Sequence, residues 1–266
     1  MKAGEILGRT FSTVPDDLLG MLKAPFDHPG GSALVTGSML ALVATDKPTT
    51  RAFQRIEPKD QPRGLWDTSV RGTGFDTYLM ALIPATYFGS LAVGSSRGQV
   101  ASLLSAKAVV YSVLVTQITF KSLTGRRRPN EDLNSGQPAV RPFTDDPWDW
   151  GHVHEPRFNP KSDATSFPSF HATLYASVAQ VISEVYEIHW IFPHAVALAG
   201  FMTAGKHNHW FSDIVAGSLL GIGIGHVVVR EFKGRGAALK VGGVSGSVFP
   251  FIDPNGSSGL ALRLAW

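Results

Sequence analysis

Val100-Ala-Ser-Leu-Leu-Ser-Ala-Lys-Ala-Val-Val-Tyr-Ser-Val-Leu-Val-Thr-Gln-Ile-Thr-Phe120 is interrupted by a single charge, Lys107. A membrane-spanning helix needs about 20 largely apolar residues, and this run has that length. Five similar runs lie along the chain. His28 to Thr45 and Thr77 to Ser96 carry no formal charge, and Thr165 to Ser183, Ile188 to Gly205 and Ile214 to Val229 complete the set. Pro84, Pro193 and several glycines interrupt them, which membrane helices tolerate better than soluble ones. Six apolar runs with polar connections predict an all-α fold, a six-helix bundle embedded in a membrane. The alternative is a soluble helical bundle with buried core helices.

The remaining sequence is unlike these runs. Asp46 to Gly74 is a loop of mixed charge, and Lys121 to Ser166 is the longest polar stretch, too long for a simple connector. Beyond Arg230 the chain becomes Gly- and Ser-rich with alternating apolar residues, as in Gly259-Leu-Ala-Leu-Arg-Leu-Ala-Trp266, predicting a short irregular or β-like C-terminal tail. The expected organisation is a polar N-terminal segment (1–29), a helical domain (30–230) and the tail (231–266). Met1 to Pro25 carries six charges and no apolar stretch of signal-peptide type, so no secretory signal is expected.

Whole-chain composition averages these parts. In 266 residues, 24 Lys and Arg stand against 21 Asp and Glu, a formal charge of +3, and the mean hydropathy is +0.06. Charged residues make up 17% and hydrophobic ones 44%, which excludes a disordered chain. A field of +3 is too weak for an electrostatic nucleic-acid binder, so no nucleic-acid partner is expected. The absence of cysteine excludes disulfides, a thiol nucleophile and cysteine-ligated metal.

Three clusters at the ends of the apolar runs carry candidate chemistry. Lys121-Ser-Leu-Thr-Gly-Arg-Arg-Arg-Pro129 places Lys121, Arg126, Arg127 and Arg128 where the chain must turn, suited to an anion or to lipid headgroups. Ser166-Phe-Pro-Ser-Phe-His171 opens the fourth run, with Ser166 as a candidate cap and Ser169, the opening amides and His171 facing an anion. Gly205-Lys-His-Asn-His-Trp-Phe-Ser-Asp213 spaces His209 and Asp213 by one helical turn. That spacing lets the carboxylate orient the imidazole as a nucleophile. Each cluster alone also reads as an ordinary helix end. Trp148, Trp150 and Trp210 read equally as a lipid–water belt or as packing. The pair His152 and His154 reads as plain loop, without further metal ligands nearby.

Taken in order, Lys-x6-Arg-Pro, Pro-Ser-x-His and His-x3-Asp resemble the type 2 phosphatidic acid phosphatase superfamily. Bacterial class A acid phosphatases and vanadium haloperoxidases share this signature. The matching positions are Lys121, Arg128, Pro129, Pro168, Ser169, His171, His209 and Asp213. The resemblance implies a metal-independent phosphohydrolase without a cofactor, vanadate serving only as a phosphate mimic. His209 would attack phosphorus to give a phosphohistidine, Asp213 would orient it, and His171 would protonate the leaving oxygen and then activate water. Lys121, Arg128, Ser169 and the Phe170 amide would hold the phosphate oxygens. A lipid phosphate or prenyl pyrophosphate is the implied substrate and the bilayer the implied partner. The implied location is a multi-pass inner-membrane protein with its site towards the periplasm, an exported or peripheral cell-envelope enzyme being the alternative.

Two positions depart from the pattern. Thr203 stands where the family has an arginine six residues before the nucleophilic histidine, and Phe170 replaces the glycine between Ser169 and His171. Lys206, Arg126 or Arg127 are candidate substitutes for the missing guanidinium, although a lysine lacks its planar fork. The loss motivates a second expectation, a catalytically impaired lipid-phosphate binder or scaffold. Vanadate-dependent halide oxidation and phosphotransfer rank lower.

Overall fold

The computed structural model describes residues 1–27, 29–56, 75–157, 163–203, 209–234, 239–241, 244–252 and 258–265. In chain order its helices are α1 (Ala3–Ser12), α2 (Val14–Asp27), α3 (Pro29–Ala44), α4 (Asp46–Ile56), α5 (Phe75–Ala92) and α6 (Ser96–Ser112). A π-helical segment, Val113–Phe120, then runs into α7 (Lys121–Thr124), followed by α8 (Phe170–Tyr186), α9 (Ile191–Thr203) and α10 (Phe211–Gly234). The run around Lys107 is thus one helical rod from Ser96 to Thr124. That rod and α10 are long and apolar enough to cross a membrane; α3, the Leu79–Ala92 part of α5 and the Ile191–Phe201 part of α9 are shorter apolar helices.

Each of the six apolar runs corresponds to a rod, namely α3, α5, α6 through α7, α8, α9 and α10. Hydropathy did not anticipate α1, α2 and α4. In α1 and α2 the reason is an inverted polarity. Thr10, Thr13 and Asp17 are buried, while Phe11, Leu22 and Phe26 are exposed. These buried polar groups face α6. Lys107 Nζ donates to Thr10 O (2.7 Å) and Thr13 Oγ1 (2.5 Å) and pairs with Asp17 (2.5 Å), whose carboxylate also accepts from Tyr111 (2.9 Å). Outward apolar side chains also mark α3 (Leu34, Leu40), α5 (Met80, Phe88) and α9 (Phe192, Val196).

Helices α8 and α10 run parallel in close contact. A Cβ added at Gly217, Gly221 or Gly225 would overlap the carbonyl oxygen of Ser169, Thr173 or Ser177 in turn. Small residues one turn apart let two backbones approach this closely, trading side-chain burial for dispersion contact along the helix. The register is tied at the start by Ser169 N donating to Asp213 O (3.0 Å) and near the end by Lys233 Nζ donating to Glu184 O (2.9 Å). Two apolar clusters fill the bundle. One, around Leu104, Val181 and Val228, receives Ile6 from α1; the other, around Val109, Leu174 and Ile214, lies nearer the three motifs.

The long connection between α7 and α8 is irregular apart from a two-residue parallel pairing of β1 (Arg128–Pro129) with β2 (Phe143–Thr144). The tail forms a three-stranded antiparallel sheet of β3 (Leu239–Val241), β4 (Val244–Ile252) and β5 (Ser258–Ala265), with Gly246 opposite Leu239 on one side and Leu264 on the other.

Candidate active site

The helical rod ends before Pro129. Gly125 adopts a left-handed conformation (φ 53°) and closes α7 with its amide on Lys121 O. A side chain at Gly125 would collide with the backbone of His152, so the turn needs glycine twice over, for its φ and for the close approach. The turn directs Arg126, Arg127 and Arg128 along three separate paths.

Arg126 is fully buried and points inwards. Its guanidinium bonds Asp213 Oδ1 (2.5 Å), Ser212 Oγ (2.8 Å), Asp46 Oδ2 (2.7 Å) and Pro147 O (2.7 and 3.1 Å). The indoles of Trp150 and Trp210 lie 4.4 and 5.4 Å from its central carbon. Arg127 turns the other way, to Asp149 (3.2 Å) and Asp163 (3.1 Å). Both guanidiniums are therefore held by protein carboxylates. Lys206 lies outside the described residues, as does the side chain of Thr203.

Arg128 reaches His209. Its NH1 lies 3.3 Å from His209 Nε2, and its NH2 bonds Thr165 O at 3.2 Å. A guanidinium can only donate, so Nε2 is the acceptor and the ring proton resides on Nδ1. Nδ1 faces Asp213 Oδ2 at 3.5 Å, looser than a hydrogen bond. Asp213 is fixed independently of the imidazole, Oδ2 accepting from Ser166 Oγ (2.5 Å) and from the Trp210 amide (3.0 Å). Burial, with the charge of Arg128 second, depresses the His209 pKa from 6.5 to about 3, so the ring is neutral at pH 7. Burial likewise lowers that of Arg128 to about 10, which leaves it charged.

The remaining candidates surround this pair. Lys121 is 3% exposed and donates no hydrogen bond among the described residues; Arg128 and Asp213 are its charged neighbours. Ser169 is the N-cap residue of α8, buried, with its Oγ unpartnered among the described residues. The sequence placed Ser166 in that capping role, but Ser166 Oγ instead serves Asp213. Phe170 and His171 form the first turn of α8, where His171 packs between the rings of Phe170 (5.6 Å) and Tyr175 (6.0 Å). Of the three tryptophans singled out, Trp210 is fully buried with Nε1 on Arg127 O (3.0 Å), Trp150 packs at a tilt against Phe167, and Trp148 is exposed.

Sequence reasoning missed Asp46 and Thr50. Asp46 accepts from the Ser212 amide (2.8 Å), and Thr50 Oγ1 accepts from the Phe211 amide (3.0 Å), so α4 caps α10 from a distant part of the chain. The only local signal was an Asp directly after an apolar run, a helix-start pattern that names no long-range partner.

The arrangement provides a neutral buried imidazole, an adjacent guanidinium, and an ammonium and a hydroxyl without hydrogen-bond partners among the described residues. This set can hold an oxyanion against a nitrogen nucleophile. No curated protein and no solved structure matches the chain. The family model described as PAP2 superfamily matches residues 100–236, just over half of the chain and all three motifs. The chain belongs to the PAP2 superfamily, a family of phosphatase type.

Proposed function

We propose that the protein is a membrane-embedded, metal-independent phosphatase acting on a lipid phosphate or prenyl pyrophosphate through a phosphohistidine. The observation that carries this reading is a donor set, Lys121 and Ser169 Oγ, that is unengaged among the described residues and lies with the Arg128–His209 contact. His209 Nε2 attacks phosphorus while the bond to the leaving oxygen breaks, and His171 in its protonated form supplies that oxygen's proton. His171, now neutral, takes a proton from water, and the hydroxide displaces phosphate from His209. Lys121, Arg128, Ser169 Oγ and the Phe170 amide hold the non-bridging oxygens, whose charge must be stabilised during in-line transfer. The outward apolar faces of α3, α5 and α9 support insertion in a membrane, and the family resemblance is what points to the inner membrane with the site towards the periplasm. Purified protein should release phosphate from phosphatidate or undecaprenyl pyrophosphate without added metal. His209→Ala and His171→Ala should each abolish release, and wild-type rates in both variants would remove the mechanism.

A second reading is a weakened enzyme that chiefly binds lipid phosphate. It is favoured by Thr203 together with the engagement of Arg126 and Arg127 by carboxylates. Thr203→Arg separates the two. A large gain in turnover supports degeneration, and a loss supports a site adapted to threonine.

A further inference from the structure

Arg126 cannot serve a substrate, because its donors are already taken on three sides and indoles cover its faces. Its position is nonetheless central. One edge binds the carboxylate of Asp213, and the other binds Asp46. All three side chains are completely buried. Asp46 has a second attachment, to the backbone and hydroxyl of Ser212 next to Asp213. Asp46 lies outside residues 100–236, so this attachment comes from a part of the chain that the family match does not cover.

We infer that Asp46 and Arg126 are a positioning pair that sets Asp213, and through it His209, for phosphoryl transfer; this rests on the phosphatase reading. The guanidinium, itself anchored by Asp46, holds Oδ1 of Asp213, while Ser166 Oγ and the Trp210 amide hold Oδ2; together they fix the carboxylate in rotation as well as in position. It also leaves Asp213 anionic. Oδ1 is committed to Arg126, and Oδ2 is left facing Nδ1 of His209, able to stabilise positive charge on the ring as Nε2 bonds to phosphorus. The amide of Ser212 on Asp46 Oδ1 and that of Phe211 on Thr50 Oγ1 hold the first turn of α10 against the same anchor. Among the described residues the Arg126 guanidinium and the Asp46 carboxylate bond to Asp213, Ser212, Pro147 and each other, not to the Lys121, Arg128 and Ser169 donors that would hold phosphate, so the pair acts on the reacting nitrogen rather than on substrate affinity.

The test uses the full chain in detergent, with p-nitrophenyl phosphate for turnover and orthovanadate as the probe of the phosphate cradle. Asp46→Asn and Arg126→Lys should each lower kcat roughly 10- to 100-fold, the usual scale for groups that orient a reacting residue. KM and the vanadate inhibition constant should stay within about threefold of wild type, since uniform binding is untouched. Accumulation of acid-labile phosphohistidine after rapid quenching should fall with kcat. Folded variants with wild-type kcat overturn the inference while leaving the phosphatase reading intact. Turnover and vanadate affinity falling together, or both variants failing to fold, assigns the pair to stability alone and also overturns it. A wild-type protein with neither turnover nor vanadate binding removes the phosphatase reading, and this inference with it.

Discussion

Lys107 and Lys121 stand on the same helical rod and are nearly equally sealed from solvent, at 9% and 3% exposure. Lys107 has its ammonium filled by Thr10 O, Thr13 Oγ1 and Asp17. Lys121 donates to nothing among the described residues. An ammonium offers three donors, and a buried donor left unmade is costly. Burial therefore does not distinguish a structural lysine from a functional one; satisfaction does. The first ties α1 and α2 to the bundle, and the second is the one that the proposed function assigns to an oxyanion.

The largest effect should come from breaking the filled site. Lys107→Met leaves the Asp17 carboxylate buried without a cation and should cost about 3–5 kcal/mol of stability, read as a lowered unfolding midpoint in detergent. Turnover per folded molecule should not change. Adding Asp17→Asn should recover much of the loss, because an unpaired charge costs more than an absent pair.

Lys121→Met should do the reverse. Turnover should fall about 10²- to 10³-fold, as when one oxyanion donor is removed, while the midpoint holds or rises. A loss of stability matching that of Lys107→Met would erase the distinction between the two lysines. Orthovanadate at about 100 times its Kd should stabilise the wild type by about 2.7 kcal/mol. That gain should persist in Lys107→Met and vanish in Lys121→Met.

The smallest effect, taken per unit of pH, comes from His209. His209 has a folded pKa of about 3 against 6.5 unfolded, so between these values only the unfolded chain binds the proton. This residue's contribution makes stability rise with pH through that window, by at most about 1.4 kcal/mol per unit, and level off above 6.5. His209→Gln should flatten the slope, and an unchanged slope would show that other groups set it.

The three motifs were legible because their spacing is local. Lys121 and Arg128 flank one turn, Ser169 and His171 open one helix, and His209 and Asp213 sit one turn apart. The six rods were legible because uninterrupted apolarity needs no partner to be recognised. The inward face of α1 and α2 was hidden, because Thr10, Thr13 and Asp17 look solvent-facing until Lys107 is seen opposite them. Asp46 was hidden for the same reason. It falls at the start of a charged stretch and reads as surface, yet Arg126 and Ser212 draw it into the interior. Thr203 and Phe170 were visible as departures, but the partners of Arg126 and Arg127 emerged only from long-range contacts.

The parallel packing of α8 and α10 has an electrostatic consequence. Neighbouring parallel helices set like ends of their peptide dipoles side by side, with the positive ends here meeting at the site. The end of α10 is already neutralised by Asp46 and Asp213. That of α8 has no acidic residue in its first turn, and no side chain caps it. A phosphate held by Ser169 and the Phe170 amide would therefore be the missing counter-charge of α8. In that sense such an anion would complete the helix, bringing the negative charge that the first turn of α8 does not carry.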